Sequence, residues 1–400
     1  MNINWRRTAL GELETETGGV IQTGPFGSQL HMSDYSDEGT PVVMPTNIRD
    51  MRIDPTDIAR VGDEHVDRLV RHQLRPGDIL YSRRGDVEKC ALVTEHETGW
   101  LCGTGCLLVR VQGEHIDTRF LAYQLSTPAK RGWIRQHAVG LTMLNLNTGI
   151  LREIPIELPD FEEQQRIAGV LGVLDDKIES NLRVRNLCRD LGGNLVADTV
   201  RSAPSTQLEH YAASISRGVT PQYYKDEDAS PVLVLNQKCI RDGWVTPELA
   251  RLMNPRAREK SQAIARLDDL LVNSTGQGTL GRVARWHSDD PIYVDSHVTV
   301  VKADPRRIYP VLMPYLVFPL QDEIEHMATG STGQTELSPS RLAQLNVPLL
   351  SLEEQRPLSA RLVALEAQAH YCQVQSLKLT ELRDALLPEL MSGRMRVDEA

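Results

Sequence analysis

Leu158-Pro159-Asp160-Phe161-Glu162-Glu163-Gln164-Gln165-Arg166-Ile167 recurs as Leu349-Leu350-Ser351-Leu352-Glu353-Glu354-Gln355-Arg356-Pro357-Leu358, shifted by 191 residues without a gap (353 − 162 = 191). Under the same shift Ile167, Leu171, Leu174 and Ile178 fall on Leu358, Leu362, Leu365 and Ala369. Spacings of four, three and four put one apolar stripe on a helix. Two such stripes predict the seam of a two-helix coiled coil. A helix of this kind cannot bury its stripe alone, and the other copy is its natural partner. Gly192-Gly193 costs about 1 kcal/mol per glycine against alanine and predicts a bend or frayed end. Pro357 is tolerable only within the first helical turn and points to a later start for the second helix.

The offset continues upstream, so a whole unit is duplicated. Gly77-Asp78-Ile79-Leu80-Tyr81-Ser82 returns as Asp268-Asp269-Leu270-Leu271-Val272-Asn273, and Gly85 lands on Gly276. Ile48-Arg49-Asp50 matches Ile240-Arg241-Asp242, Pro41-Val42-Val43 matches Pro231-Val232-Leu233, and Tyr123 meets Tyr315. Such a long period is not a solenoid. It predicts an α+β domain over 1–160, a long helix over 161–203, a second α+β domain over 204–351, a second helix over 352–393, and a tail over 394–400. Strands are expected near Pro41–Met44, Ile79–Ser82, Leu107–Val111 and Ile154, and a helix over Phe120–Gln136 broken at Pro128.

No apolar run approaches the roughly 20 residues of a membrane span, and the N-terminus lacks a charged-then-apolar signal pattern. Six cysteines in 400 residues, irregularly spaced, fit a reducing cytoplasm. Cys102 and Cys106 lack further ligands at metal-site spacing and read as small buried hydrophobes. Net charge is −10; residues 1–160 hold 17 Lys+Arg against 22 Asp+Glu, and residues 204–351 hold 15 against 17. Neither half is a basic, stand-alone nucleic-acid binder.

Gly276-Gln277-Gly278-Thr279-Leu280-Gly281 spells a dinucleotide fingerprint, but its third glycine does not open a helix. The run Arg282–His287 behind it is strand-like, so a hairpin loop is expected and no cofactor. No phosphate-binding loop, nucleophile elbow or zinc-helix motif occurs, and Asn254-Pro255-Arg256-Ala257 is not the Pro-Pro-aromatic run of an adenine methyltransferase. Asp175-Asp176-Lys177 lies beside Leu174 and Ile178 and reads as a solvated helix flank. The chain looks catalytically empty, with no metal site.

Two variable α+β domains, each followed by a long helix opening near Glu-Glu-Gln, closely resemble the specificity subunit of type I restriction–modification systems. Gly24-Pro25-Phe26-Gly27-Ser28, Gly77-Asp78-Ile79-Leu80, Gly218-Val219-Thr220-Pro221 and the stretch from Leu386-Leu387 to Ser392-Gly393-Arg394 carry the resemblance, which covers nearly the whole chain. It implies that each variable domain is a target recognition domain reading one half of a bipartite site in double-stranded DNA. It also implies antiparallel helices with pseudo-twofold symmetry that set the unread spacer. Two methyltransferase subunits would dock on the helices, and translocase–nuclease subunits would join for restriction. A 40-residue helix spans roughly 60 Å at 1.5 Å per residue, more than one DNA turn of about 34 Å. The acidic balance is answerable if the methyltransferases supply the phosphate contacts.

Base readers are sought among loop residues that match major-groove edges. In the first domain these are Thr23, Ser28, Arg83, Arg84, Thr142 and Asn145. In the second they are Arg217, Thr220, Ser274, Thr275, Gln277, Thr332 and Gln334. For any one of them an ordinary solvated loop residue is the competing reading. Three rivals remain: the specificity chain of a type IIB system, an enzyme with an unrecognised site, and a coiled-coil scaffold without DNA.

Overall fold

The computed structural model describes residues 5–49, 51–140, 143–223, 231–254, 261–329, 335–397. The chain forms two compact units, one of Met1–Glu179 with Ser376–Ala400, the other of Ser180–Gln375. Both long helices, Phe161–Val200 and Leu352–Met391, contribute to each unit.

The first unit is built on an antiparallel sheet of Val20–Thr23, Cys106–Arg110, Ile79–Ser82 and Cys90–Leu92, in that spatial order. A second sheet orders Leu101–Cys102, Thr40–Val43, Ala59–Val61 and Tyr35–Ser36. In the second unit the main sheet is Ala212–Arg217, Val298–Ala303, Leu270–Asn273 and Val283–Arg285, again antiparallel. Its second sheet keeps the parallel pairing of Val232–Leu235 with Ile292–Val294 and the antiparallel pairing with Arg251–Met253. These strands correspond to Thr40–Val43, Leu101–Cys102 and Ala59–Val61 in register at an offset of 192, which puts Val42 on Val234 and corrects the Pro41/Pro231 match by two residues.

The turn before Ile79 shows why its motif recurs. Buried Asp78 accepts the Arg75 N–H at 2.8 Å and pairs with Arg110 on the neighbouring strand. Asp269 accepts the Arg266 N–H at 2.8 Å and pairs with Lys302. A carboxylate that satisfies a turn N–H and a cross-strand cation offsets the cost of its own burial.

The Glu-Glu-Gln motif is a clamp. Buried Gln164 accepts from the Asp117 N–H at 3.0 Å and donates to the carbonyls of His115 and Pro159. Buried Gln355 accepts from the Tyr309 N–H at 3.0 Å and donates to the carbonyls of Arg307 and Leu350. Each carboxamide ties the first turn of a long helix to the loop beside it. Asp160 and Ser351 cap the two helices through the N–H groups of Glu163 and Glu354.

Two expectations about the helices change. The second begins at Leu352 and runs through Pro357. Pro357 forfeits one helical N–H, whereas the Ser351–Glu354 capping box and the Gln355 clamp hold the turn on both sides. Gly192-Gly193 does not fray the first helix, which continues to Val200. A Cβ on Gly192 would stand 2.6 Å from the Tyr315 ring, so the missing side chain makes room for an aromatic.

The apolar stripes serve two neighbours at once. In the first unit Ile167 and Leu171 join Leu387, Leu390 and Met391 in one core with Phe120, Leu121 and Leu158. Ile178 is buried and Leu174 half-buried. In the second unit Leu358 and Leu362 share a core with Val196, Leu312 and Tyr315. Leu365 and Ala369 meet Cys188 and Val184 around Trp244, and Asn181 bonds Gln375 at 2.9 Å. Within each unit the start of one helix thus lies against the end of the other, antiparallel. At roughly 1.5–3 kcal/mol for a fully buried Leu or Ile, the stripe of the first helix outweighs the weak helix propensity of its glycines; the second helix has none.

Candidate nucleic-acid interface

The main sheet of each unit ends in a cluster of loops, and their backbones are bonded alike. In the first unit the Arg83 N–H donates to the Gly105 carbonyl at 2.7 Å, and the Leu146 N–H donates to the Arg83 carbonyl at 2.9 Å. Arg84 and Asn145 form an antiparallel bridge, and Val139 bridges Asn145. In the second unit the Ser274 N–H donates to the His297 carbonyl at 2.9 Å, and the Leu337 N–H donates to the Ser274 carbonyl at 2.9 Å. Thr275 bridges Glu336, and Thr329 bridges Glu336.

The edge strand of each sheet enters this frame through a glycine with no space for a Cβ. Gly24 follows Thr23, and its N–H donates to the Cys106 carbonyl; an added Cβ would meet the Gly103 oxygen at 1.9 Å. Gly218 follows Arg217 and donates to the Val298 carbonyl; there a Cβ would meet the Val294 oxygen at 2.1 Å. The glycines common to Gly24-Pro25-Phe26-Gly27-Ser28 and Gly218-Val219-Thr220-Pro221 are therefore packing requirements.

On the two frames the side chains differ. The first carries Thr23, Arg83, Arg84 and Asn145 together: Arg84 is exposed, while Thr23, Arg83 and Asn145 are half-buried. Arg83 Nε is buried without a hydrogen-bond partner among the described residues. Ser28 is exposed, on the loop that begins at Gly24, and no bond joins it to the frame among the described residues. Thr142 lies outside the described residues.

The second frame carries Arg217, Ser274 and Thr275, with exposed Thr220 and Gln277 on adjoining loops. Ser274 is fully buried, its hydroxyl 2.6 Å from that of Thr299, so it supports the frame and presents nothing outward. Arg217 donates to the carbonyls of Ser296 and Leu337, and its Nη2 lies 2.8 Å from Glu336 Oε1. The Thr275 hydroxyl lies 2.7 Å from His297 Nδ1. Beneath them Asp295 is buried; burial raises its carboxyl, while the His297 N–H donated to it pulls the other way. Thr332 and Gln334, and the basic residues Arg256, Arg258 and Lys260, lie outside the described residues.

Sequence reasoning missed Glu336 and His297, both exposed. The repeat offset carries Asn145 onto Glu336 (145 + 191 = 336) and was the available signal. An acidic residue is a poor phosphate ligand and, unlike Arg, Asn or Gln, offers no donor to a base edge.

The run Gly276–Gly281 is a turn between Leu270–Asn273 and Val283–Arg285, with positive φ at Gly276, Gly278 and Gly281. No helix follows, so it lacks the helix N-terminus a pyrophosphate needs. Cys102 and Cys106 are buried free thiols, and burial pushes Cys102 up to about 12. Among the described residues no His/Cys/Asp/Glu cluster could hold a metal ion, and no helix is long and apolar enough to cross a membrane.

Known proteins share both the sequence pattern and the fold. The family described as "Type I restriction modification DNA specificity domain" matches residues 70–186. A protein named a type I restriction enzyme MjaX specificity subunit, from Methanocaldococcus jannaschii, is 21% identical over 98% of this chain and 97% of its own. The crystal structure of a type I restriction–modification S subunit from M. genitalium superposes with a TM-score of 0.55 at 17% identity. It covers 100% of this chain and 98% of that one.

Proposed function

We propose, from the premise that the chain is a type I restriction–modification specificity subunit, that residues 1–160 and 204–351 are its two target recognition domains. Each reads one half of a bipartite site in double-stranded DNA. The long helices set the unread spacer and dock two methyltransferase subunits, and translocase–nuclease subunits join that complex for restriction. The chain itself carries out no chemistry and needs no cofactor.

One observation carries this reading: two loop frames with the same backbone hydrogen bonds hold different side chains. A fold that reads two different half-sites needs a constant scaffold and variable edges, because base contacts specify while the scaffold only positions. The net charge of −10 fits a reader whose methyltransferases provide the cationic, phosphate-facing surface.

The test is methylation of genomic DNA in cells carrying this chain with its methyltransferase, mapped by single-molecule sequencing. A split motif that changes in one half when residues 1–160 are exchanged is the expected result. An undivided motif, or methylation indifferent to deletion of this chain, would overturn it. The type IIB alternative gives the same split motif but uses a partner in which methyltransferase and nuclease are fused.

A further inference from the structure

Asn145 and Glu336 occupy the same place in the two frames. Each is bridged to the residue after the strand-end position, Arg84 in one case and Thr275 in the other. Each is followed by a leucine whose N–H donates to the strand-end carbonyl, at 2.9 Å in both units. Glu336 keeps 60% of its side chain exposed, although Arg217 holds one carboxylate oxygen. An exposed carboxylate at a DNA-facing edge is repelled by phosphates unless a base amino group meets it. The donor it fits in the major groove is cytosine N4, whereas an asparagine carboxamide fits adenine N6 and N7.

We infer that Asn145 and Glu336 determine specificity at the corresponding base pair of the two half-sites, Asn145 selecting adenine and Glu336 selecting cytosine. The inference rests on the two-reader function proposed above. Arg217 is a positioning residue: it spends two donors on main-chain carbonyls and one on Glu336 Oε1, leaving Oε2 to face the base. At the equivalent place in the first frame stands Thr23, beside an uncharged asparagine that needs no such brace.

The experiment uses the full chain with its methyltransferase on genomic DNA and on oligonucleotides randomised through both half-sites. Glu336→Asn turns one C·G pair of the second half into A·T and leaves the first half intact. Asn145→Glu does the converse. Arg217→Thr keeps the motif and lowers discrimination at the Glu336 position at least about tenfold. If an exchange abolishes methylation, Asn145→Ala and Glu336→Gln decide: preference falls at least about tenfold at one base pair only. An unchanged motif, or relaxation spread over a half-site, overturns the inference. Exchange of residues 1–160 separates the two failures. If it rewrites the first half while Asn145→Ala does nothing, only the inference falls; if it rewrites nothing, the two-reader function falls with it.

Discussion

Arg383 and Gly192 stand at the same position of the repeat (383 − 192 = 191), and the exchange decides how a tyrosine–carboxylate pair is neutralised. In the first unit the Tyr123 hydroxyl donates to Asp175, which also receives Arg383 Nη1 at 2.8 Å. In the second the Tyr315 hydroxyl donates to Glu366 at 2.6 Å, Gly192 packs on the Tyr315 ring, and the cation comes from the sheet instead. That cation is Arg285, whose Nη1 lies 2.6 Å from Glu366. Both tyrosines are pushed up, chiefly by burial and then by the adjoining carboxylate.

Removing Arg285 strands a buried carboxylate. Arg285→Ala is expected to destabilise the second unit by about 3–5 kcal/mol. Adding Glu366→Gln should restore much of that by deleting the charge. Denaturant unfolding followed by the fluorescence of Trp244 and Trp286 checks it. A double variant no more stable than the single would count against the ion pair.

The two adjacent glycines should respond with opposite signs. Gly192→Ala drives a methyl into the Tyr315 ring and is expected to cost about 1–3 kcal/mol. Gly193→Ala has no atom within 4 Å and should gain up to about 1 kcal/mol from helix propensity. Thermal melts of both single variants read the difference.

The glutamine clamps should be costly to remove. Gln164→Leu leaves the Asp117 N–H and the carbonyls of His115 and Pro159 without the carboxamide; Gln355→Leu does the same to the Tyr309 N–H and the Arg307 carbonyl, while the Leu350 carbonyl keeps the Tyr211 hydroxyl at 3.4 Å. Each group left unpaired where water cannot reach it costs about 1–3 kcal/mol. Hydrogen exchange is expected to rise at the Asp117 amide in the first variant and at the Tyr309 amide in the second. Unchanged protection would refute the clamp.

Acid should weaken the second unit through His287. The ring is buried with neither nitrogen partnered among the described residues, and burial, with Arg285, His370 and Arg185 nearby, depresses it far below the usual histidine range. The unfolded chain takes up a proton near pH 6.5 and the folded chain does not. Its contribution is therefore fully present above about pH 6.5. It is lost below that at up to about 1.4 kcal/mol per pH unit. His287→Phe should flatten this slope between pH 5 and 6.5 in urea titrations.

The repeat offset alone disclosed the two long helices and the paired units, because apolar spacing and duplicated turns survive divergence. It matched Gly77-Asp78-Ile79-Leu80 to its copy without revealing the cross-strand partners Arg110 and Lys302, which depend on register. It flagged Gln164 as part of a motif, but only the fold shows the carbonyls it binds. Among the reader candidates, Thr23, Arg83, Arg84, Asn145, Arg217, Ser274 and Thr275 fall on the frames. Ser274 fell inward because the residue after a strand end can point either way, and nothing local in the sequence says which.

The first unit closes only when Leu387, Leu390 and Met391 reach its core, whereas the second is a single uninterrupted stretch, Ser180–Gln375. During synthesis at about 5–20 residues per second, on the order of ten to forty seconds separate Glu179 from Ser376. The unit begun before Ser180 is thus finished after the one that follows it. A chain cut before Leu387 would leave the first unit's core open and keep the whole of Ser180–Gln375.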